Sequence, residues 1–342
     1  MKQHFFDIAI VRAILVFCIV IGHGFVFYLN GLTWPLPEGV LPSYNLQYIN
    51  PVFISFQLQA FVMISGYLFA SQQECKRQSI YNFILKKTKR ILLPCLLFGV
   101  LYYFLILWNG ESLSPLQMLR TIFNGAGHLW FLPMLFCCYI VGKLMDEILG
   151  GFNKLYSWPI LILFICVSMG SLVIPGFWCI SNAVFYYVFF YLGVLLYKNR
   201  ELIISRFCHI KYLIVLCVAT LIMVWVYAHG VVTDGVNWII MRALKIVLGI
   251  VGSTTLWLTA NYFIQRIDID NHKLIRCLLL WNGWYGVYII HQFVLKYMYY
   301  KTSVSLLLGQ WLPWVGILVA LILSYIITTL MLKTKFGRYL IG

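Results

Sequence analysis

Long apolar stretches recur along the whole chain and are separated by short segments that carry most of the polar and charged residues. A helix needs about 20 apolar residues to cross a bilayer, because the hydrocarbon core is about 30 Å thick and each residue rises about 1.5 Å. The stretches have this length. They predict ten membrane-spanning helices, at residues 8–29, 51–70, 91–108, 128–145, 158–174, 182–197, 212–229, 237–264, 276–295 and 312–332.

The pattern therefore predicts an all-α fold: a polytopic transmembrane helix bundle of about ten spanning helices, built as a single membrane-embedded domain over residues 1–342. The first apolar stretch runs on to Leu29 and has no small-residue cleavage site. We expect it to remain as a helix rather than to be removed as a signal peptide. The segments between spans are too short to form a second domain.

Composition agrees with this fold. Of 342 residues, 62% are hydrophobic and 10% are charged, and the mean hydropathy is +0.89. The net charge of +15 does not indicate nucleic-acid binding, because Lys and Arg lie in short loops rather than on one folded surface. With a cytosolic amino terminus only five basic residues face outwards: Arg120, Arg242, Lys245, Lys296 and Lys301. The positive-inside rule then predicts both termini in the cytosol.

Ionisable residues inside the predicted spans are few, and each is a functional candidate because placing such a group in the bilayer costs a few kcal/mol. Arg12 and His23 are eleven residues apart on the first helix. Eleven residues make three turns, so both side chains project from one face, about 16 Å apart along the axis. That face is expected to line a polar passage through the protein.

Other basic groups are predicted at the depth of His23, in the outer half of the membrane. His291 lies fifteen residues into the ninth span, Arg242 and Lys245 lie in the first turns of the eighth, and His128 opens the fourth. Purely structural roles are the alternatives: a histidine can be a packing residue, and Arg12 can be an interfacial anchor. The basic loop from Lys76 to Arg90 can be a topology signal in contact with lipid headgroups.

The ten acidic residues are expected in loops or at helix ends, which leaves no carboxylate in mid-membrane. Ion-coupled transport, paired-carboxylate chemistry and carboxylate metal sites therefore lose support, and no metal site is expected. Histidine is the remaining group suited to proton transfer.

Five motifs in order resemble acyltransferase family three, a large family of integral-membrane enzymes that acylate cell-surface glycans and related acceptors. DIAIVRAILVFCIVIGHGF (Asp7 to Phe25) has the basic residue, ten residues and histidine of that family. The others are FVMISGYLF, KTKRILLP with its pair Lys87 and Arg90, HLWFLPML and GVYIIHQF. Two positions depart from the family pattern: Lys87 where Arg is typical, and Trp284 in place of a small polar residue.

The resemblance implies an O-acetyltransferase of the bacterial cytoplasmic membrane, with acetyl-CoA as cytosolic donor and an extracytoplasmic glycan or lipid-linked sugar as acceptor. It implies His23 and Arg12 as catalytic residues, and Lys87, Lys89 and Arg90 as the site for the CoA phosphates. His23 would be a general base or a transient acyl carrier. Donors to the oxyanion or contacts to substrate are expected among His128, Arg242, Lys245, His291 and Ser65.

Three points stay open at this level. Ser65 and Gly66 can instead form a close-packing site between helices. An exporter or flippase of a polysaccharide or lipid-linked sugar is the alternative function, since a basic chamber would also pass an anionic substrate. Membrane lipids are expected partners, nucleic acid is not, and assembly into a homo-oligomer is undecided.

Overall fold

A computed structural model describes residues 3–29, 34–108, 114–148, 157–174, 177–233, 235–267 and 281–341. Within these ranges the chain is helical and has no β-strand. In chain order the α-helices are α1 (Gln3–Gly24), α2 (Ile49–Ile54), α3 (Gln57–Cys75), α4 (Ile80–Lys87), α5 (Leu93–Tyr102), α6 (Pro115–Phe123), α7 (Phe131–Ile148), α8 (Trp158–Gly170), α9 (Ile180–Lys198), α10 (Arg200–Phe207), α11 (Ile210–Thr233), α12 (Trp238–Ile264), α13 (Trp284–Tyr300), α14 (Val304–Leu308), α15 (Leu312–Lys333) and α16 (Lys335–Ile341).

Eight helical stretches in the described ranges are long and apolar enough to cross a membrane, and each overlaps a predicted span. The remaining two predicted spans overlap α8 and α13, which have only 13 and 17 residues. Seventeen residues rise about 26 Å, slightly less than the hydrocarbon core. Residues 276–280 of the ninth predicted span lie outside the described residues. The polytopic all-α fold is confirmed, and the part of the chain that the structure describes contains eight helical stretches of spanning length.

The third spanning stretch begins earlier than predicted. Ser79 caps α4, because its hydroxyl accepts from the main-chain N–H of Asn82 (3.4 Å). Pro94 has no N–H to give to the carbonyl of Arg90 four residues before it, and the helix widens into a π turn over Thr88–Leu92. The hydroxyl of Tyr285 donates to that carbonyl (3.4 Å). The basic pair predicted in a loop therefore lies on a continuous helical stretch.

The centre of the bundle is the crossing of α3 and α9. A side chain on Gly66 would overlap the main chain at Phe190, and one on Gly193 would overlap the main chain at Met63. Only glycine permits this distance between two backbones, and α9 is buried along almost its whole length. Gly66 therefore has the packing role that the sequence left open.

Helix α1 packs beside this crossing, between α12 on one side and α13 and α15 on the other. The residues of α1 that face α13 come from its last turns, and α13 presents His291 to them. The chain thus brings an intramembrane histidine from its start against one from near its end.

Candidate active site

His23 and His291 are in direct contact. Nδ1 of His23 lies 2.8 Å from Nε2 of His291, and the two rings are nearly parallel, 5.1 Å between centroids. His291 is completely buried and His23 is half-buried. An imidazole pair at hydrogen-bond distance needs one donor and one acceptor, so its surroundings decide which ring gives the proton.

Val287 decides it. The carbonyl of Val287 lies 3.2 Å from Nδ1 of His291, one helical turn back, and a carbonyl can only accept. His291 therefore carries its hydrogen on Nδ1 and accepts at Nε2, so Nδ1–H of His23 is the donor between the rings. Nε2 of His23 keeps its lone pair, and it has no hydrogen-bond partner in the described part of the chain.

His128 completes a cluster of three histidines, with its ring centroid 5.1 Å from that of His291 and 6.3 Å from that of His23. Nδ1 of His128 lies 2.8 Å from Oε1 of Gln292, and Nε2 lies 2.9 Å from the carbonyl oxygen of Ile289. Each ring nitrogen of His128 thus faces an acceptor oxygen at hydrogen-bond distance, and a neutral ring donates to one of the two. Both ring nitrogens of His291 are engaged as well. Among the three, His23 alone offers a ring nitrogen to a substrate.

A network around Gln292 fixes the position of His128. Oε1 of Gln292 also accepts from the main-chain N–H of His128 (3.2 Å) and from the hydroxyl of Tyr102 (2.9 Å). The preceding turn contains Gly125 and Gly127 at φ +83° and +58°, a conformation that favours glycine. This turn brings the main chain of His128 within reach of α13.

Aromatic rings and one cation close the side of the cluster beyond the end of α1. The ring of Trp34 stacks on His23, nearly parallel, at 6.2 Å between centroids. The ammonium of Lys296 lies 4.5 Å from the centre of the Trp34 ring and 5.6 Å from that of Tyr102. A positive charge therefore lies next to two direct neighbours of the histidines.

Arg12 lies on the same helix as His23, as the sequence requires, and it is half-buried. Its Nε is buried without a hydrogen-bond partner, and no ion pair of Arg12 is present among the described residues. A buried cation without a counter-ion is costly, so an anionic or strongly polar ligand would stabilise Arg12.

The three residues predicted to hold the donor phosphates differ in environment. Lys89 and Arg90 are exposed. Lys87 turns inwards, where its ammonium lies 3.4 Å from the centre of the Tyr139 ring and 5.4 Å from that of Phe83. Its charge is thus already occupied by a cation–π contact, whereas Lys89 and Arg90 are open to a ligand.

Ser65, Arg242 and Lys245 are not brought into contact with the histidines within the described ranges. The hydroxyl of Ser65 donates to the carbonyl of Phe61 in its own helix (2.9 Å). Arg242 donates to the main chain at Ser168 (3.4 Å) and to the hydroxyl of Ser171, and its guanidinium lies 4.3 Å from the Phe185 ring centre. Lys245 lies over Tyr227 at 5.9 Å. Arg242 and Lys245 therefore face α8, α9 and α11, away from α13.

Sequence reasoning missed several polar residues. Gln292 directly follows His291 in a quoted motif, and Tyr102 and Lys296 are single residues in apolar or aromatic surroundings that periodicity does not distinguish. Four charged residues also form a network in which Lys143, fully buried, lies 2.7 Å from Glu147 and 3.3 Å from Asp146, to which Arg77 also binds. The spacing of Lys143, Asp146 and Glu147, three and four residues apart, is the signal for it.

Two acidic residues lie near helix ends, as expected, but are buried. Asp7 is buried inside α1, where it accepts from Nε1 of Trp257 (3.2 Å) and Nδ2 of Asn261 (3.2 Å). Asp146 is buried within α7. Both lie near helix ends but are enclosed by packing, since each finds enough donors to offset desolvation. In the described residues, no three His, Cys, Asp or Glu side chains are arranged to hold a metal ion.

Comparison with protein families identifies the family of the chain. A family model described as an acyltransferase domain, that of acyltransferase family three, matches residues 5–333, which include all the candidate site residues. No curated protein and no solved structure matches the chain. Because the match covers nearly the whole sequence, the chain belongs to acyltransferase family three and is a multi-pass membrane acyltransferase.

Proposed function

We propose that this acyltransferase is an O-acetyltransferase of the bacterial cytoplasmic membrane. It moves the acetyl group of cytosolic acetyl-CoA to a hydroxyl of a glycan or lipid-linked sugar on the other side of the membrane. The observation that carries the proposal is the unpartnered Nε2 of His23, oriented by its hydrogen bond to His291 in a cluster where the other ring nitrogens are engaged. A glycan hydroxyl needs such a base to become a nucleophile.

In the proposed reaction, Nε2 of His23 is the general base. Nε2 of His23 accepts the proton of the acceptor hydroxyl while the hydroxyl oxygen attacks the thioester carbonyl, forming a C–O bond and a tetrahedral oxyanion. The oxyanion then collapses, the C–S bond breaks, and the CoA thiolate takes the proton back from His23. The products are the acetyl ester and CoA, and His23 returns to its starting state.

His291 and His128 position the base in this proposal. When His23 becomes positively charged, its Nδ1–H donates more strongly to Nε2 of His291, which stabilises the ion pair with the attacking oxygen. His128 in turn is held by Gln292 and Ile289, both on the helix that carries His291. The three residues are expected to act together, so their effects on the rate will not be additive.

The donor would approach from the opposite end of α1. Lys89 and Arg90 are the exposed cations for the CoA phosphates, with Lys87 behind them on Tyr139. Arg12, half-buried and without an ion pair in the described ranges, would contact the donor between those residues and His23. Ser65, Arg242 and Lys245 contact other groups, and we assign no step to them.

The test uses purified protein with radiolabelled acetyl-CoA and an oligosaccharide acceptor. Label should appear as an ester on the acceptor with the wild-type protein and be lost with His23→Ala. His209→Ala is the matched control, because His209 is exposed between α10 and α11 and its side chain bonds only to the main-chain carbonyl of Ser205 (3.1 Å) in the described ranges. Full transfer by His23→Ala would refute His23 as the base, and acceptor transport without acyl transfer would favour an exporter.

A further inference from the structure

Lys296 is a half-buried cation that has no role in the steps above. It lies on α13, five residues after His291, which corresponds to about 7.5 Å along the helix axis. The displacement is towards the end of the bundle at which α1 terminates and Trp34 covers His23. Lys296 is therefore farther from the donor side than the histidine pair, at a distance of about one sugar residue.

The side chain of Lys296 is turned into the protein. Its ammonium lies over the rings of Trp34 and Tyr102, which themselves contact His23 and the Gln292 network. A lysine at a membrane boundary that served only as a lipid anchor would extend its ammonium away from such a cluster. The aromatic faces hold the charge in place but do not neutralise it.

No carboxylate in the described ranges forms an ion pair with Lys296. The ion pairs in the described part of the chain involve Asp146, Glu147 and Glu201 with other cations, and Glu38, on the nearby segment after Trp34, is exposed and forms none. A partly desolvated ammonium without a counter-ion gains from an anionic ligand. The ligand that passes this position in the proposed reaction is the acceptor.

Building on the proposed function, we propose that Lys296 binds an anionic group of the acceptor, a carboxylate or a phosphate about one sugar residue from the reacting hydroxyl. The enzyme would thus select acidic or diphosphate-linked saccharides over neutral ones. Lys296 is a specificity residue in this account: it contributes to acceptor binding and not to the transition state.

Binding of acceptor without donor tests this, so the outcome does not depend on acyl transfer. Three probes are compared: a neutral tetrasaccharide, the same tetrasaccharide with one residue oxidised to a uronate, and the neutral tetrasaccharide on a short isoprenyl diphosphate. The wild-type protein should bind at least one anionic probe about tenfold more tightly than the neutral one, the effect of one charge-assisted contact. Which of the two it prefers identifies the source of the anion.

Lys296→Met should remove this preference and leave binding of the neutral probe unchanged, whereas Lys296→Arg should retain most of it. Lys301→Met is the matched control, since Lys301 directly follows α13 at the same end of the helix but is exposed. The preference for anionic probes should be unchanged in this variant. If gel filtration shows Lys296→Met to be misfolded, wild-type binding at high salt gives the same test, because screening should weaken only the anionic probes.

Two results would overturn the inference: a wild-type protein without preference for either anionic probe, or a preference that persists in Lys296→Met. An intact preference in a protein that transfers no acetyl group would instead refute the proposed function and leave the anion site standing. A fall in kcat at unchanged acceptor affinity with Lys296→Met would also overturn it, because Lys296 would then act on the transition state.

Discussion

The side-chain amide of Asn50 donates to the carbonyl of Gly22, the residue directly before His23, at 2.7 Å. A carbonyl only accepts, so Nδ2 of Asn50 faces it, and Oδ1 is buried without a partner among the described residues. Asn50 is itself almost fully buried on α2. This bond connects a second helix to the last turn of α1 and fixes the direction in which His23 projects.

Asn50→Asp should therefore lower kcat by about tenfold, because a carboxylate of the same shape cannot donate to Gly22 and displaces the base. The loss in kcat is measured from the rate of acetyl transfer. Asn199→Asp is the matched control, since the amide of Asn199 donates to the carbonyl of Leu195 (2.9 Å) far from the histidines in sequence and on another helix. Equal losses in the two variants would show that the Asn50 effect is general destabilisation.

His291→Phe should reduce kcat by about 100-fold or more, because it removes the acceptor that orients Nδ1–H of His23 and stabilises the charged ring. His291→Gln should keep more activity, since an amide oxygen can still accept. Single-turnover rates with the donor saturating separate this effect from binding. Activity in His291→Phe equal to that of His291→Gln would mean that the hydrogen bond does not matter for the rate.

Gly66→Ala and Gly193→Ala should each destabilise the protein by about 1–3 kcal/mol or more, because the added methyl group overlaps the backbone of the facing helix. Thermal unfolding in detergent measures the change. Gly170→Ala provides the control, since a side chain there meets nothing within 4 Å. An unchanged melting temperature in both core variants would contradict the packing assigned to α3 and α9.

Arg90→Gln should raise the KM for acetyl-CoA by about tenfold, because it removes an exposed guanidinium that we propose binds the donor phosphates. Lys87→Gln should affect this KM less and lower thermal stability instead, since its ammonium rests on Tyr139. Initial rates at varied donor concentration measure both. The reverse order of effects would assign the phosphates to Lys87.

The sequence was sufficient for the fold class and for the family, because apolar length and ordered motifs are local properties. The pairing of His23 with His291 could be expected only as a shared depth, since the packing of α1 on α13 is a tertiary contact. Arg242 and Lys245 show that sequence position predicts depth in the membrane but not the direction of a side chain. They were predicted at the depth of the histidines, but the rotation of α12 turns them towards α8, α9 and α11. Helix azimuth and side-chain partners, such as Tyr139 under Lys87, are set by packing and not by periodicity.

Acyl transfer across a sealed bilayer tests the proposed role of His23 and the direction of transfer together. The protein is reconstituted in vesicles of known orientation, with labelled acetyl-CoA on the side of Lys89 and Arg90 and the glycan acceptor enclosed on the other. Labelled acceptor is expected inside intact vesicles with the wild-type protein and His209→Ala, and none with His23→Ala. Label that forms only when donor and acceptor share one side, or that forms equally with His23→Ala, would contradict the proposal.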